Sequence, residues 1–261
     1  MAASEQKDYL VFHLYGPMAS FGDVAVGEYR PTHAHPTKSA IVGLIAGALG
    51  ILRNEDEKHL ALDAGLGFAV LVLSSGQLLR DYHTSQVPPS GKKAFATRKD
   101  ELSVPKSDLG TILSTRDYRT DALYKIAIWK KMNGENQPGF NLQEICKALN
   151  EPFFAPYIGR KSCPLALPLD AKIVKAKLAS DALINQKLPI GTKYLEAISM
   201  IKFSGKENIT MYTDDSSETA RATRVMQVTK KDRLISRKRW QFGDRIEYQI
   251  AVDTNGGNDV L

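Results

Sequence analysis

The sequence predicts an α+β fold. A ferredoxin-like domain spans residues 9–178 and carries an extended excursion, and a smaller, mainly β region follows over residues 179–261. Three observations predict it. Apolar runs in the first part of the chain follow the order strand, helix, strand, strand, helix, strand, which is the split βαβ pattern. Beyond residue 179 the apolar segments read mostly as strands. With 43% hydrophobic and 25% charged residues, the 261-residue chain has the composition of a soluble globular protein.

Each element has its own signal. Residues 9–14 are apolar and β-prone and form the first strand, which Gly16 and Pro17 are expected to stop. A long Gly- and Pro-rich loop runs to Thr37, and loops of that length are usually functional or disordered. A helix follows over residues 39–49. Thr37 or Ser39 can cap it, because a side-chain oxygen accepts a free first-turn N–H. Ile41, Leu44, Ile45, Ala48 and Leu49 form one apolar face, and Gly50 suits the residue just past the end. Gly43 and Gly47 weaken this helix by roughly 1 kcal/mol each. Close approach to a sheet is the expected compensation.

A short second helix is expected over residues 55–64 and a buried central strand over 66–73. Residues 79–120 hold Pro88, Pro89, Pro105 and five Lys or Arg from Lys92 to Lys106, with no long apolar period. They read as an extended excursion, a β-hairpin arm. A third strand is expected over 122–129, a helix capped near Asn141 over 141–149, and a turn-rich loop over 152–168. A fourth strand follows over 171–178. Later strands are expected at 197–202, 209–213, 223–228 and 246–252, before a frayed tail at 255–259.

Composition narrows the function classes. Lys plus Arg exceed Asp plus Glu, 35 against 29, which permits a polyanionic partner without requiring one. Cys146 and Cys163 form no CxxC pair, and of five histidines only His33 and His35 are close. No metal site and no cofactor is expected. Cys163 has no general base beside it. No phosphate-binding glycine loop is present, so nucleotide hydrolysis has no support. Residues 1–8 are short and polar, and no apolar run approaches the ~18 residues of a membrane span. A cytoplasmic protein with no membrane partner is expected.

Four segments carry candidate chemistry. The helix start at Thr37, Lys38 and Ser39 is suited to a phosphate, or is only the polar start of a buried helix. Arg80-Asp-Tyr-His-Thr84 offers a guanidinium, a ring, an imidazole and a hydroxyl. It could clamp RNA, cleave it with His83 as general acid or base, or merely end a strand. Tyr157-Ile-Gly-Arg-Lys-Ser162 has three phosphate donors beside a glycine that lets a backbone approach. Arg233 to Arg245, with Arg237-Lys-Arg-Trp240 at its middle, sets cations beside an aromatic, which suits single-stranded RNA, although a solvated strand face explains it nearly as well.

Taken together the segments are more specific. Leu14-Tyr-Gly-Pro-Met-Ala-Ser-Phe-Gly22, Arg30-Pro-Thr32, Pro36-Thr-Lys-Ser39, the glycine-bearing helix to Ile51, Arg80-Asp-Tyr-His-Thr84 and Pro156-Tyr-Ile-Gly-Arg-Lys-Ser-Cys-Pro-Leu165 occur in this order. They resemble the CasD family, subunits of the type I-E CRISPR surveillance complex Cascade. The resemblance covers residues 9–169. Beyond them it is confined to Ser236-Arg-Lys-Arg-Trp240.

This resemblance implies an RRM-like, repeat-associated RNA-binding fold whose excursion, residues 86–119, is a thumb. It implies binding of the 5′ repeat-derived handle of the guide crRNA, capping of a CasC backbone filament, and help in seating CasA. Other Cascade subunits, and target DNA through the complex, complete the partners. The RNA contacts would come from Arg30, Thr32, Thr37, Lys38, Ser39, Arg80, Tyr82, His83, Thr84, Arg116, Tyr157, Gly159, Arg160, Lys161 and Ser162. No catalysis is implied, since CasE is the processing nuclease of such systems. A sister branch that cuts repeat RNA without metal supplies the enzymatic alternative, with Tyr82, His83 and Lys38 as its residues. A purely structural adaptor, whose basic loops meet acidic proteins, is the third reading.

Overall fold

The computed structural model describes residues 6–89, 95–131, 140–186, 209–219 and 222–252. Strand β1 (Lys7–Ala19) leads into three two-residue strands, β2 (Phe21–Gly22), β3 (Tyr29–Arg30) and β4 (Thr32–His33). Helices α1 (Lys38–Ala48) and α2 (Asp56–Gly65) precede β5 (Leu66–Ser74) and β6 (Gln77–Val87). Helix α3 (Arg98–Leu102), β7 (Gly110–Lys130), α4 (Leu142–Asn150), β8 (Lys172–Ala176) and α5 (Ala179–Asn185) follow. Strands β9 (Ile209–Thr213), β10 (Ala222–Ser236) and β11 (Gln241–Val252) end the described chain.

Most strands join one sheet, in the order β10-β11-β9-β5-β7-β1-β8. The pairings of β8, β1, β7 and β5 are all antiparallel. Two cores cover the two faces of this sheet. On one, Leu10, Phe12, Phe68, Val70 and Ile126 pack against Ile41 and Ile45 of α1, Leu62 of α2 and Ile145 of α4. On the other, Tyr9, Val11, Leu71 and Trp129 pack against Ala182 and Leu183 of α5. The period-two alternation along β1 and β5 assigns successive side chains to opposite cores.

Local chemistry sets the helix ends. The Thr37 hydroxyl accepts the Ala40 N–H at 3.3 Å, and Gly50 closes α1 at φ +76°. The Asn141 side chain accepts the Gln143 N–H at 3.0 Å and starts α4.

Several expectations are corrected. Gly16 and Pro17 do not stop β1. Gly16 pairs with Ala122 and Met18 with Thr120, so Pro17 falls between the paired residues and its missing N–H is tolerated. The Gly- and Pro-rich loop is partly ordered, because β2 pairs with β4 and β3 lies parallel on β7. Strand β9, in the region after residue 179, adds to the edge of β5 in the same sheet. Helix α5 was not expected, being seven residues long and too short to show a period. The strand expected at 197–202 and the tail at 255–259 lie outside the described residues.

The excursion forms an antiparallel ladder with register from Gln77 opposite Thr120 to Val87 opposite Gly110. Its strands therefore start before residue 86. Strand β7 is 21 residues long, so one strand serves both the buried sheet and the arm.

Candidate nucleic-acid interface

At the root of the arm, register decides which side chains meet. Arg80 lies opposite Asp117, Asp81 opposite Arg116, and Tyr82 opposite Thr115. Successive residues point to opposite faces, so Arg80, Tyr82 and Thr84 share one face and His83 shares the other with Arg116. The five-residue cluster read from the sequence is split by the pleat.

On the first face Arg80 is held. Its Nε donates to Asp117 Oδ1 at 2.9 Å, and its Nη2 to Asp117 Oδ2 at 3.2 Å and the Tyr29 hydroxyl at 3.0 Å. The Tyr29 hydroxyl donates to the same carboxylate. The Arg80 hydrogen bond, followed by the Tyr29 hydroxyl and the arginine charge, outweighs burial and keeps Asp117 below the usual carboxylate range. Tyr82, 64% exposed, stands free beside this cluster, as does Thr84.

On the second face three arginines gather. Arg30 of β3 lies beside Arg116 of β7 in register. Arg160 stacks over the Tyr118 ring at 5.0 Å and donates to the Arg30 carbonyl at 3.1 Å. Arg116 donates to the Ser114 hydroxyl at 3.2 Å. Among the described residues no carboxylate lies within ion-pair distance of any of the three. His83 is on the same side, 3.8 Å from Asp81.

The loop that carries Arg160 is a tight turn. Tyr157 bridges to Pro164, and the Cys163 N–H donates to the Arg160 carbonyl at 2.9 Å. Gly159 has φ +84°, and a Cβ there would lie 1.9 Å from the Ser20 carbonyl oxygen. Its glycine therefore serves packing against the chain at Ser20, between β1 and β2, and not approach to a ligand. Tyr157, Lys161 and Ser162 are exposed.

The helix start reads differently from the expectation. Lys38 is 3% exposed, and its Nζ donates to Asp214 at 2.9 Å. Its backbone N–H donates to Asp232 at 2.9 Å. The chain thus supplies its own anion where a phosphate would sit. Burial lowers the Lys38 ammonium below the ordinary lysine value even against the charge of Asp214. Thr37 is buried as the cap, and the Thr32 hydroxyl accepts the Phe21 N–H at 2.8 Å. Ser39, at the first turn of α1, is only partly buried. Tyr82, His83 and Lys38 do not converge, so the residues of the cleavage reading form no common site.

Ser39 lines a cleft of about 1890 Å³ between α1, the 153–164 loop and the β10–β11 hairpin. Gly43 and Gly47 line it as well, and a Cβ at Gly47 would meet nothing within 4 Å. A Cβ at Gly43 would meet only the Arg237 guanidinium, at 3.9 Å, so the glycine face of α1 lies along the cleft and not against a sheet. Arg53, Lys230 and Lys231 line the cleft and were missed, because nothing local marks them as neighbours of α1. His33 and His35 serve separate contacts. Lys230 Nζ donates to His33 Nδ1 at 3.3 Å, and His35 contacts Glu247 at 3.1 Å while stacking on Tyr212.

No helix among the described residues is long and apolar enough to cross a membrane. Known proteins resemble this chain in sequence and in fold. Residues 9–245 match a family model described as CRISPR-associated protein (Cas_Cas5). The CRISPR system Cascade subunit CasD of Escherichia coli (strain K12) is 32% identical over 193 residues, which cover 71% of this chain and 79% of that protein. A chain of a solved CRISPR RNA-guided surveillance complex superposes with TM-score 0.62 at 20% identity, covering 94% of this chain and 90% of that one. A crystal structure of a Cas protein superposes with TM-score 0.52 at 22% identity, covering 94% and 95%. With the family match running from the first strand into the last, and a relative 32% identical over 193 residues, the chain belongs to the Cas5 family of CRISPR-associated proteins.

Proposed function

We propose that this chain is a non-catalytic RNA-binding subunit of a type I-E Cascade-type complex, and that it holds the 5′ handle of the guide crRNA. The observation that carries the reading is the face formed by Arg30, Arg116 and Arg160, three guanidiniums with no ion-pair partner among the described residues. Like charges gather at such cost chiefly where a polyanion neutralises them. Lys161 and Ser162 stand exposed on the same loop as Arg160, and Tyr82 and Thr84 offer an exposed ring and hydroxyl across the arm. In this reading β8-β1-β7-β5 with α1 and α4 is the ferredoxin-like palm, and the β6–β7 arm is the thumb. The arm would meet a CasC-type backbone subunit, and the body would help seat a CasA-type subunit. Sequence reading of target DNA would rest on base pairing of the guide.

Handle RNA binding measured across a salt series tests this. Arg116→Ala and Lys161→Ala should each weaken binding and lower the slope of log affinity against log salt by about 0.7, the single-strand value per phosphate contact. Unchanged slopes in both would remove the phosphate roles. The same tubes, run on a denaturing gel in EDTA, should show uncut RNA. A discrete cut would overturn the non-catalytic reading.

A further inference from the structure

The tip of the β10–β11 hairpin is built more firmly than an exposed turn needs. Asp56, at the start of α2, accepts the Ser236 hydroxyl at 2.7 Å and the Lys238 N–H at 2.8 Å. The Leu234 N–H donates to Asp63 of α2 at 3.3 Å. Trp240 stands on this anchored turn at φ +58°, where a bulky L-residue is disfavoured. Its ring carries the Arg237 guanidinium at 4.1 Å and that of Arg53 at 4.9 Å, with Phe242 edge-on at 5.7 Å. Even so, Trp240 is 55% exposed, and it opens into the 1890 Å³ cleft. Opposite lies α1, where the Arg237 guanidinium is 3.9 Å from where a Gly43 Cβ would be and Gly47 faces open space. Lys161 and Lys231 stand on the walls.

We propose that this cleft seats an unpaired nucleobase of the bound RNA on Trp240, with Arg237 and Arg53 holding the ring and the neighbouring phosphates. This rests on the RNA reading above and adds a site that the arginine face of the arm does not contain. The chemistry fits a base better than an acidic peptide. A planar π-face stacks on both indole and guanidinium, and the open helix floor at Gly47 leaves room for a flat group with a bulky sugar behind it. A rigid platform loses little entropy when it binds, which is the use of the anchoring by Asp56 and Asp63.

The test pairs a protein change with an RNA change on the full chain. One probe is a short single-stranded handle RNA. The other has the same backbone and phosphates but abasic sugars at the unpaired positions. Trp240→Gly removes the ring and relieves the left-handed φ, so the turn keeps its shape. It should weaken binding of the intact RNA by about 5- to 100-fold and leave the abasic RNA unaffected. The salt slope should stay that of the parent, because no phosphate contact is lost. Trp240→Phe should recover much of the loss. Equal binding by parent and Trp240→Gly overturns the inference while leaving the RNA reading intact, as does equal weakening on both RNAs. Failure of the parent to bind either RNA overturns both.

Discussion

At Lys38 a helix start, a buried ammonium and two distant aspartates meet within one turn. The sequence shows a lysine at a helix N-terminus, where a phosphate is a reasonable guess. The partners that decide otherwise, Asp214 and Asp232, lie 176 and 194 positions away, and no local pattern reveals them. Lys38→Ala should therefore act on folding. Breaking a buried pair costs about 3–5 kcal/mol when the remaining charge is uncompensated, and Lys131, 2.6 Å from Asp214, still compensates here. A loss of about 2–3 kcal/mol by urea unfolding, with an unchanged salt slope of RNA binding, is expected. A lowered slope at unchanged stability would return Lys38 to the phosphate site. His13 gives a second prediction. Burial, against the pull of Asp170, lowers its ring from 6.5 to about 4, and its Nε2 has no partner. Above pH 6.5 both folded and unfolded chains hold a neutral ring. Below it the unfolded chain takes up a proton that the folded chain refuses until about pH 4. Stability should fall across that window, and His13→Leu should flatten the urea midpoint between about pH 6.5 and 5, above the carboxylate range. A pH profile identical to the parent's would show that other groups govern it.

Elements were more legible than the contacts between them. The α1 cap, its glycine stop and the continuous apolar run of β5 were all readable, because propensity and apolar pattern are local. What the glycines of α1 face was not readable, because it depends on where the C-terminal hairpin lies. The pleat at Arg80–Thr84 teaches the same lesson. Five suitable residues in a row suggest one site, but a strand sends alternate residues to opposite faces. The surroundings of the glycines lead to opposite predictions. Gly47→Ala puts a methyl into open space inside a helix and should stabilise the chain by about 0.5–1 kcal/mol. Gly159→Ala forces a methyl against the Ser20 carbonyl at a positive φ and should cost more than about 1 kcal/mol. Thermal or urea unfolding of the two variants side by side decides it. Equal effects would mean that α1 is packed where the structure leaves it open.

Across the whole molecule the buried sheet and the exposed arm make different contributions to stability. Both cores lie on the central strands and their helices, and the C-terminal strands extend the sheet because β9 completes the free edge of β5. That continuity could not be read from sequence, since strand order depends on pairings between distant segments. The arm itself was legible from its proline, lysine and missing apolar period, although its strands extend further into the body than residue 86. No described residue between 83 and 114 is buried, so this part of the chain contributes little to either core. Its removal should therefore spare the fold. Tyr82 lies opposite Thr115, and a two-residue Asn-Gly turn in place of residues 83–114 closes that ladder in the geometry hairpins favour. The Arg80–Asp117–Tyr29 cluster and the Arg30–Arg116 pair remain inside the cut. The shortened chain should unfold within about 0.5 kcal/mol of the parent, as surface changes do. If the arm is the thumb of a filament-end subunit, the same chain should bind handle RNA through the arginine face yet fail to copurify with CasC-type backbone subunits. Normal assembly by the shortened chain would move the filament contact onto the body of the sheet, and collapse of its stability would mean that the outer ladder belongs to the core.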